Sequence, residues 1–224
     1  FPSAQLISDP LSENNAQNYS AAQIVSGFIY SDFSKKTLKH FKDLKFITTR
    51  STGFDHIDLE YCKKNSIKVA NVPEYGSNTV AEFTFALILT LTRKIPQNLQ
   101  ALNQISFNRM ELTGIDLENK TLGILGFGKI ARHVARIAHG FNMRMLVYNR
   151  TIYPEYEKQY NLKFTDLKTL LQHSDIISLH LPLTKETYHI LNKKTLSWVK
   201  KGAYLINTAR GGLVDSEALL CAIE

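Results

Sequence analysis

The sequence is poor in cysteine, in acidic residues and in long apolar stretches. Its 224 residues include only two cysteines, Cys62 and Cys221, whose separation fits no metal-ligand spacing and argues for no disulfide. We therefore expect two free thiols and no metal site. No stretch reaches the ~18 apolar residues that a membrane helix needs. No charged-then-apolar leader is present either, so we expect a cytoplasmic protein without a membrane partner.

Basic residues outnumber acidic ones, at 27 against 20, which gives a formal charge of +7. Such an excess can favour anionic partners. The lysines, however, occur as separate short pairs, as in Lys35-Lys36 and Lys193-Lys194, and not as a continuous stripe. Separate pairs are typical of solvated helix ends, so we expect no nucleic-acid partner.

Apolar stretches of strand length alternate with segments of helical period along the whole chain. The predicted strands are Gln5–Ile7, Ile24–Ile29, Leu44–Thr48, Lys68–Ala70, Thr121–Leu125, Arg144–Tyr148, Asp175–Leu179 and Ala203–Ile206. The predicted helices include Lys35–Phe41, Leu59–Lys64, Thr79–Arg93, Ile130–Phe141, Leu167–His173 and Ser216–Ile223. Strands that are apolar on both faces and separated by helices indicate parallel sheets covered on both sides, hence the α/β class.

A break in this alternation follows the long helix predicted from Thr79. Pro96 and the polar residues 97–103 end that helix, and the region to Glu118 is interpreted as a connector. The expected division is a first domain at 1–100 and a second at 101–224. Ligands of open α/β sheets bind at the carboxyl ends of the strands, so we expect the site in a cleft there.

The strongest single motif is Gly126-x-Gly128-x-x-Ala131, the G-x-G-x-x-G/A pattern. An apolar strand precedes it, a helical pattern follows, and a second strand ends at Tyr148, which is the context a dinucleotide-binding loop requires. Gly126 is expected to allow the tight turn. Gly128 is expected to let the backbone approach a pyrophosphate, in a conformation that a branched side chain would not adopt. Lys129 and Ile130 then open the helix whose positive end holds the pyrophosphate.

The residues that end the second strand bear on the choice of cofactor. NAD enzymes usually place an acidic residue there, ~20 residues after the motif, to bind the ribose 2′-hydroxyl. Here the positions hold Asn149, Arg150 and Thr151. No carboxylate repels a 2′-phosphate, and Arg150 can form a bidentate contact with one, so we favour NADP. The alternative is NAD, with Arg150 stacked over the adenine.

Several further blocks accompany this motif, and in their order the chain resembles the D-isomer-specific 2-hydroxyacid dehydrogenase family. That family includes D-lactate, glyoxylate/hydroxypyruvate and phosphoglycerate dehydrogenases. The other blocks are Thr49–Asp58, Asn71–Tyr75, Thr79–Glu82, Glu111–Gly114, His180–Thr184 and Asn207–Asp215. The resemblance implies a flavodoxin-like substrate domain followed by a Rossmann dinucleotide-binding domain.

The resemblance also implies roles for particular residues. Arg210 matches the catalytic arginine that grips the 2-oxo acid and polarises its carbonyl. Thr52 and Gly53 match the loop whose N–H groups hold the substrate carboxylate. Thr79 matches a contact on the nicotinamide side of the cofactor. Three more residues lie in segments that line the dinucleotide in this family: Pro182, Thr187 and Thr208. Plain loop structure explains these three nearly as well.

The family's histidine acid/base and its glutamate partner would follow Arg210 beyond residue 224, and no histidine present has the matching context. With Phe1 at the start, we therefore expect both ends of the domains to be missing and the chain as given to be inactive. The parent protein is expected to transfer hydride between a nicotinamide dinucleotide and C2 of a small 2-hydroxy or 2-oxo acid, as a homodimer by family analogy. The alternative is a dinucleotide-sensing corepressor on the same fold.

Overall fold

The computed structural model describes residues 4–102, 110 and 112–223, and its contacts divide the chain into two compact units. The first unit comprises residues 1–76 and the second residues 77–224. Both are parallel α/β structures, so the predicted fold class is confirmed. Among the described residues, no helix combines the length and apolar character needed to cross a membrane.

The first unit contains a three-stranded parallel sheet in the order β1-β2-β3. The strands are β1 (Ile24–Gly27), β2 (Phe46–Thr49) and β3 (Lys68–Ala70). The helices are α1 (Glu13–Ala16), α2 (Lys35–Leu38) and α3 (Leu59–Lys64), with a 3-10 turn at Gln17–Tyr19. The core between them is apolar, with Phe33 and Ile47 fully buried, and it encloses the thiol of Cys62. Cys62 and the exposed Cys221 are both free, as expected.

The second unit contains a five-stranded parallel sheet in the order β6-β5-β4-β7-β8. Its strands are β4 (Thr121–Leu125), β5 (Arg144–Tyr148), β6 (Leu162–Phe164), β7 (Ile176–Leu179) and β8 (Tyr204–Asn207). Its helices are α4 (Ser77–Thr92), α5 (Ile95–Ala101), α6 (Lys129–Gly140), α7 (Pro154–Tyr160), α8 (Leu167–His173), α9 (Lys193–Leu196) and α10 (Ser216–Ile223). The chain runs outward from β4 first to one side and then to the other, which is the Rossmann arrangement with its switch point at β4.

Both faces of this second sheet are covered. Alternate residues of β4 point to opposite sides, so Ile124 joins the core under α4 and α6, while Leu125 joins the core under α8 and α9. The helix α4 supplies Phe85 and Ile88 to the first of these cores. Burial of that kind explains why α4 groups with the second unit and not with the residues before it.

The predicted domain boundary at residue 100 therefore does not coincide with the division by contacts, which falls at Gly76. The assignment of 1–100 to substrate binding and 101–224 to the dinucleotide stays a prediction. The interpretation of the residues after α4 as a connector was incomplete, because α5 forms there. The prediction that Pro96 ends the long helix was wrong, because α4 already ends at Thr92 and Lys94 adopts a left-handed φ of 51° before α5 begins. Pro96 lies in the first turn of α5, where the missing N–H costs nothing.

One predicted strand is absent from the structure, and one observed strand was not predicted. The strand predicted at Gln5–Ile7 is wrong: these residues pair with no strand among the described residues, and Leu6 is 98% exposed. An apolar stretch becomes a strand only where a neighbour accepts its backbone bonds. Conversely, β6 has only three residues and too little pattern to predict, yet it pairs in register with Met145–Val147 of β5.

Candidate dinucleotide and substrate site

The glycine motif forms the turn between β4 and α6, at the switch point of the second sheet. Gly126 adopts φ +92°, a left-handed conformation that side chains rarely accept. A Cβ there would also lie 2.7 Å from the carbonyl oxygen of His180, which follows β7. Both facts require glycine, so the predicted tight turn is confirmed. Ala131 is fully buried, as close approach of helix and strand demands.

Gly128 differs from the expectation. Its φ of −78° and ψ of −168° are extended backbone that any residue adopts, so the prediction that its conformation excludes a branched side chain was wrong. A Cβ at Gly128 would meet nothing within 4 Å. What glycine provides here is open space in front of the backbone, at the N-terminus of α6.

That N-terminus carries the donors an anion needs. α6 has 12 residues, and the first N–H groups of a helix lack partners within the helix. In the described part of the chain, the N–H groups of Gly128 and Ile130 donate to no protein acceptor. Together with the positive end of the helix dipole, they form a cradle into which a pyrophosphate fits. Lys129, the first residue of α6, is exposed beside them.

Asn149 ties the end of β5 to this loop. Its Oδ1 accepts a 3.1 Å hydrogen bond from the N–H of Phe127, and its Nδ2 donates to the carbonyl oxygen of Thr151 at 2.7 Å. The amide therefore holds both the glycine turn and the chain after β5. Arg150, between Asn149 and Thr151, extends into solvent at the same edge of the sheet.

A carboxylate that sequence reasoning missed faces the same edge. Glu186 lies in the segment after β7, and its carboxylate accepts a hydrogen bond from the hydroxyl of Thr184 at 2.6 Å. That bond is the main cause that lowers the pKa of Glu186, and the positive charge of Arg150 adds to it. Arg150 thus already acts electrostatically on one anionic group of the protein.

The segment after β7 is shaped by its own threonines. The hydroxyl of Thr187 donates to the carbonyl oxygen of Pro182 at 2.6 Å and accepts from the N–H of Thr184 at 2.8 Å. Thr187 therefore has a structural role in this loop. The expected contacts of Pro182 and Thr187 with a dinucleotide stay predictions.

His180 starts this segment and forms a polar pair that the sequence did not indicate. Its Nε2 lies 2.9 Å from the hydroxyl of Ser178, which is completely buried in β7. Burial of the imidazole lowers the pKa of His180 to about 4, so the ring is neutral at physiological pH. An acid/base is most effective with a pKa near the working pH, which makes His180 a poor proton donor.

Arg210 stands on the turn that follows β8. Asn207 clamps this turn on both sides, because its Oδ1 accepts from the N–H of Ala209 at 3.0 Å and its Nδ2 donates to the carbonyl oxygen of Arg210 at 2.9 Å. The half-buried guanidinium donates from Nη1 to the carbonyl oxygen of Ala209 at 2.9 Å, which helps to orient it. A 3-10 turn at Gly211–Leu213 follows.

Two predicted residues of the second unit remain, and both involve the helix α4: Thr79 belongs to it and Thr208 contacts it. Thr79 lies in the first turn of α4 and is exposed. Thr208, two residues before Arg210, places its Oγ1 3.0 Å from the Oγ1 of Thr84, a fully buried residue of α4. The second unit thus brings the glycine loop, the residues after β5 and β7, and the Arg210 turn to the carboxyl edge of one sheet.

Thr52 and Gly53 lie in the first unit, in the loop after β2. The buried Ser51 donates to the carbonyl oxygen of Gly53 at 2.7 Å, and Thr52 donates to the carbonyl oxygen of Val72 at 3.0 Å. Asn71 donates in turn to the carbonyl oxygen of Thr52 at 2.8 Å. Within the described residues, the N–H groups of Thr52 and Gly53 have no acceptor, so this braced loop presents two adjacent donors.

Fold and site together define a dinucleotide-binding α/β protein of the Rossmann type. The family described as D-isomer specific 2-hydroxyacid dehydrogenase, NAD binding domain, matches residues 85–224. The chain is 37% identical over 221 residues to a 2-hydroxyacid dehydrogenase homolog of Zymomonas mobilis, and 39% identical over 197 residues to a glyoxylate reductase of Thermococcus litoralis. The chain therefore belongs to the D-isomer-specific 2-hydroxyacid dehydrogenase family, and it contains that family's NAD-binding domain.

The alignments cover 97% and 85% of this chain, and the chain spans 67% and 60% of those two relatives. A solved structure, that of D-lactate dehydrogenase from Aquifex aeolicus complexed with NAD and lactic acid, matches with a TM-score of 0.85 at 41% identity. That match covers 95% of this chain and 63% of the solved chain.

Proposed function

We propose that the protein is an oxidoreductase that transfers hydride between a nicotinamide dinucleotide and C2 of a small, D-configured 2-hydroxy acid or its 2-oxo form. One observation carries this proposal. The turn that presents Arg210 and the glycine loop that starts at Gly126 lie at the same edge of one parallel sheet, with the glycine loop at the switch point of that sheet. The anion-binding loop can then bind the dinucleotide, and the guanidinium can bind the carboxylate of the 2-hydroxy or 2-oxo acid.

The chain's own residues divide the work of binding. The N-terminus of α6 holds the pyrophosphate, and the open backbone at Gly128 permits its approach. Arg210 pairs with the substrate carboxylate and stabilises negative charge on the neighbouring carbonyl oxygen. The assignment of the Thr52–Gly53 loop to the substrate carboxylate comes from the family resemblance and stays a prediction. When bound, the nicotinamide supplies or accepts the hydride.

The preferred cofactor in this proposal is NADP. The support is the absence of a carboxylate at the end of β5, where Asn149 is occupied with bracing the loop, and the exposed cation of Arg150 next to it. Glu186 opposes this preference, since its carboxylate attracts the same guanidinium electrostatically. A 2′-phosphate with nearly two charges attracts a guanidinium more strongly than a single carboxylate does, so we keep the NADP assignment.

We also propose a homodimer. Apolar side chains that remain exposed cluster after α4, with Leu99 at 59%, Leu102 at 75% and Met110 at 84% exposure. Two of them line an open groove of about 770 Å³ at the carboxyl end of α4. Exposed apolar surface of this kind is typical of a protein interface.

The test of the proposed function is a turnover assay of the full-length protein. Glyoxylate, pyruvate and hydroxypyruvate are supplied with NADPH or NADH, and the D- and L-hydroxy acids are supplied with the oxidised cofactors. Saturable turnover of at least one 2-oxo acid, lost in Arg210→Ala and partly kept in Arg210→Lys, is the expected result. Tight dinucleotide binding without turnover of any acid would refute the oxidoreductase and support a dinucleotide-sensing protein.

A further inference from the structure

Thr84 is a polar residue on the buried and mostly apolar face of α4. It is fully buried in α4 between neighbours such as Ala81 and Ile88, which also show no exposure. Its hydroxyl makes two contacts: it donates to the carbonyl oxygen of Val80 at 2.8 Å, and it lies 3.0 Å from the hydroxyl oxygen of Thr208. The second contact joins α4 to the turn that carries Arg210.

The direction of that second bond follows from counting protons. A threonine hydroxyl has one proton, and Thr84 uses its proton to donate to the carbonyl oxygen of Val80. In the contact between the two threonines, Thr208 must therefore donate and Thr84 must accept. The proton of Thr208 is then engaged by Thr84, and the Oγ1 of Thr208, a half-buried residue, has only lone pairs left for a ligand.

The place of Thr208 indicates which part of the ligand meets those lone pairs. The strand order puts the residues after β5 on one side of the glycine loop and the Arg210 turn, after β8, on the other. With the pyrophosphate over β4 and the adenosine end over β5, the nicotinamide extends toward β7 and β8. Hydride transfer also requires the nicotinamide beside the substrate that Arg210 grips. The hydrogen-bond donor of the nicotinamide is its carboxamide NH₂.

From this geometry we infer that Thr84 is a positioning residue, which fixes the Thr208 hydroxyl as an acceptor for the carboxamide NH₂ of the nicotinamide. The inference rests on the proposed function. Thr84 touches neither ligand and acts only through Thr208. It also braces the turn that ends at Arg210.

The experiment uses the full-length protein and measures dissociation constants by calorimetry. The probes are the tighter-bound of NADPH and NADH, and the acetylpyridine analogue of the same dinucleotide, in which a methyl group replaces the carboxamide NH₂. The variants are Thr84→Val, Thr84→Ser, Thr208→Val and the double variant Thr84→Val/Thr208→Val. Thr92→Val is the matched control: Thr92 is buried in the same helix, its hydroxyl donates to the carbonyl oxygen of Ile88 at 2.8 Å, and that hydroxyl has no second partner among the described residues.

Thr84→Val is expected to weaken the natural dinucleotide about three- to tenfold, the range of one hydrogen bond, and to leave the analogue unchanged. Thr84→Ser should bind the dinucleotide like the wild type, because it keeps the hydroxyl. The double variant should bind no more weakly than Thr208→Val alone. Thr92→Val should bind like the wild type, even though its melting temperature should fall about as much as that of Thr84→Val. The melting curves separate loss of binding from loss of fold.

Equal binding of the natural dinucleotide by folded Thr84→Val and wild type would overturn the inference, as would equal losses for both probes. If Thr84→Val does not fold, Thr208→Val decides, since it removes the same bond from its other end. Selective loss of the natural dinucleotide in Thr208→Val supports the inference, and unchanged binding overturns it. A wild type that binds neither NADPH nor NADH refutes the proposed function instead, so the two failures are distinguishable.

Discussion

Replacing each of the two glycines of the dinucleotide loop by alanine is expected to have different effects: the change at Gly126 should lower stability, and the change at Gly128 should weaken dinucleotide binding. At Gly126 the φ of +92° costs an L residue about 1–2 kcal/mol, and a Cβ 2.7 Å from the carbonyl oxygen of His180 adds about 1–3 kcal/mol of overpacking. We therefore expect Gly126→Ala to lower the free energy of unfolding of the second unit by about 2–5 kcal/mol. In a protein of this size that corresponds to a fall of roughly 5–15 °C in Tm.

Gly128→Ala should leave stability nearly unchanged. Its backbone is extended and its Cβ meets no atom within 4 Å, so neither strain nor overpacking arises. The small entropic gain of replacing glycine and the small loss at a helix N-cap are both below about 1 kcal/mol and oppose each other. Dinucleotide binding should nevertheless weaken, and weaken further in Gly128→Val, because the added carbons occupy the space in which the pyrophosphate approaches the backbone.

The measurement pairs thermal unfolding of the apo protein with calorimetric titration of NADPH for each variant. The reasoning would be refuted if Gly126→Ala melted within 1–2 °C of the wild type, a shift below that of ~1 kcal/mol. It would equally be refuted if folded Gly128→Val bound the dinucleotide as tightly as the wild type. The second outcome would place the pyrophosphate elsewhere.

Three further predictions concern charge, pH and assembly. Arg150→Ala should weaken the binding of NADPH about tenfold or more and that of NADH little. Glu186→Gln should strengthen the binding of NADPH. Equal effects on the binding of both cofactors would contradict the NADP assignment. Asp175 has a lowered pKa: desolvation by burial raises it, but hydrogen bonds from Lys200 at 2.6 Å and from the N–H of Thr121 outweigh that effect. The carboxylate therefore stabilises the fold fully above its ordinary pKa of 3.8, and this contribution is lost as the pH falls through the lower folded value. In thermal unfolding at pH 7, Asp175→Asn should lower the free energy of unfolding by about 1–3 kcal/mol. The difference in stability between variant and wild type should shrink below pH 3.8, and a difference that stays constant with pH would contradict this role of the carboxylate. Leu102→Asp should convert a dimer to a monomer in light scattering, and an unchanged mass would remove this face as the interface.

Much of the second unit was predictable because its strands are apolar on both faces. β4 and β5 were predicted with their observed ends, and so was β3 in the first unit. The glycine motif also identified the dinucleotide loop, since its chemistry is local: a turn, an open backbone and a helix start follow one another within six residues, Gly126 to Ala131. Gln5–Ile7 shows the limit of that approach, because its apolar pattern resembled a strand but no strand among the described residues pairs with it.

The amino-acid sequence by itself determined the α/β class, the dinucleotide loop and the family. Each depends on residue spacing along one segment, or on several segments in a fixed order. Only the tertiary structure decided which glycine is conformationally required, that the charge of Arg150 acts on the carboxylate of Glu186, and that Thr84 contacts Thr208. In the sequence, Thr84 is only one polar residue within the helix predicted from Thr79. Its partner is 124 residues away, and no local pattern encodes a contact between segments that the sheet brings together.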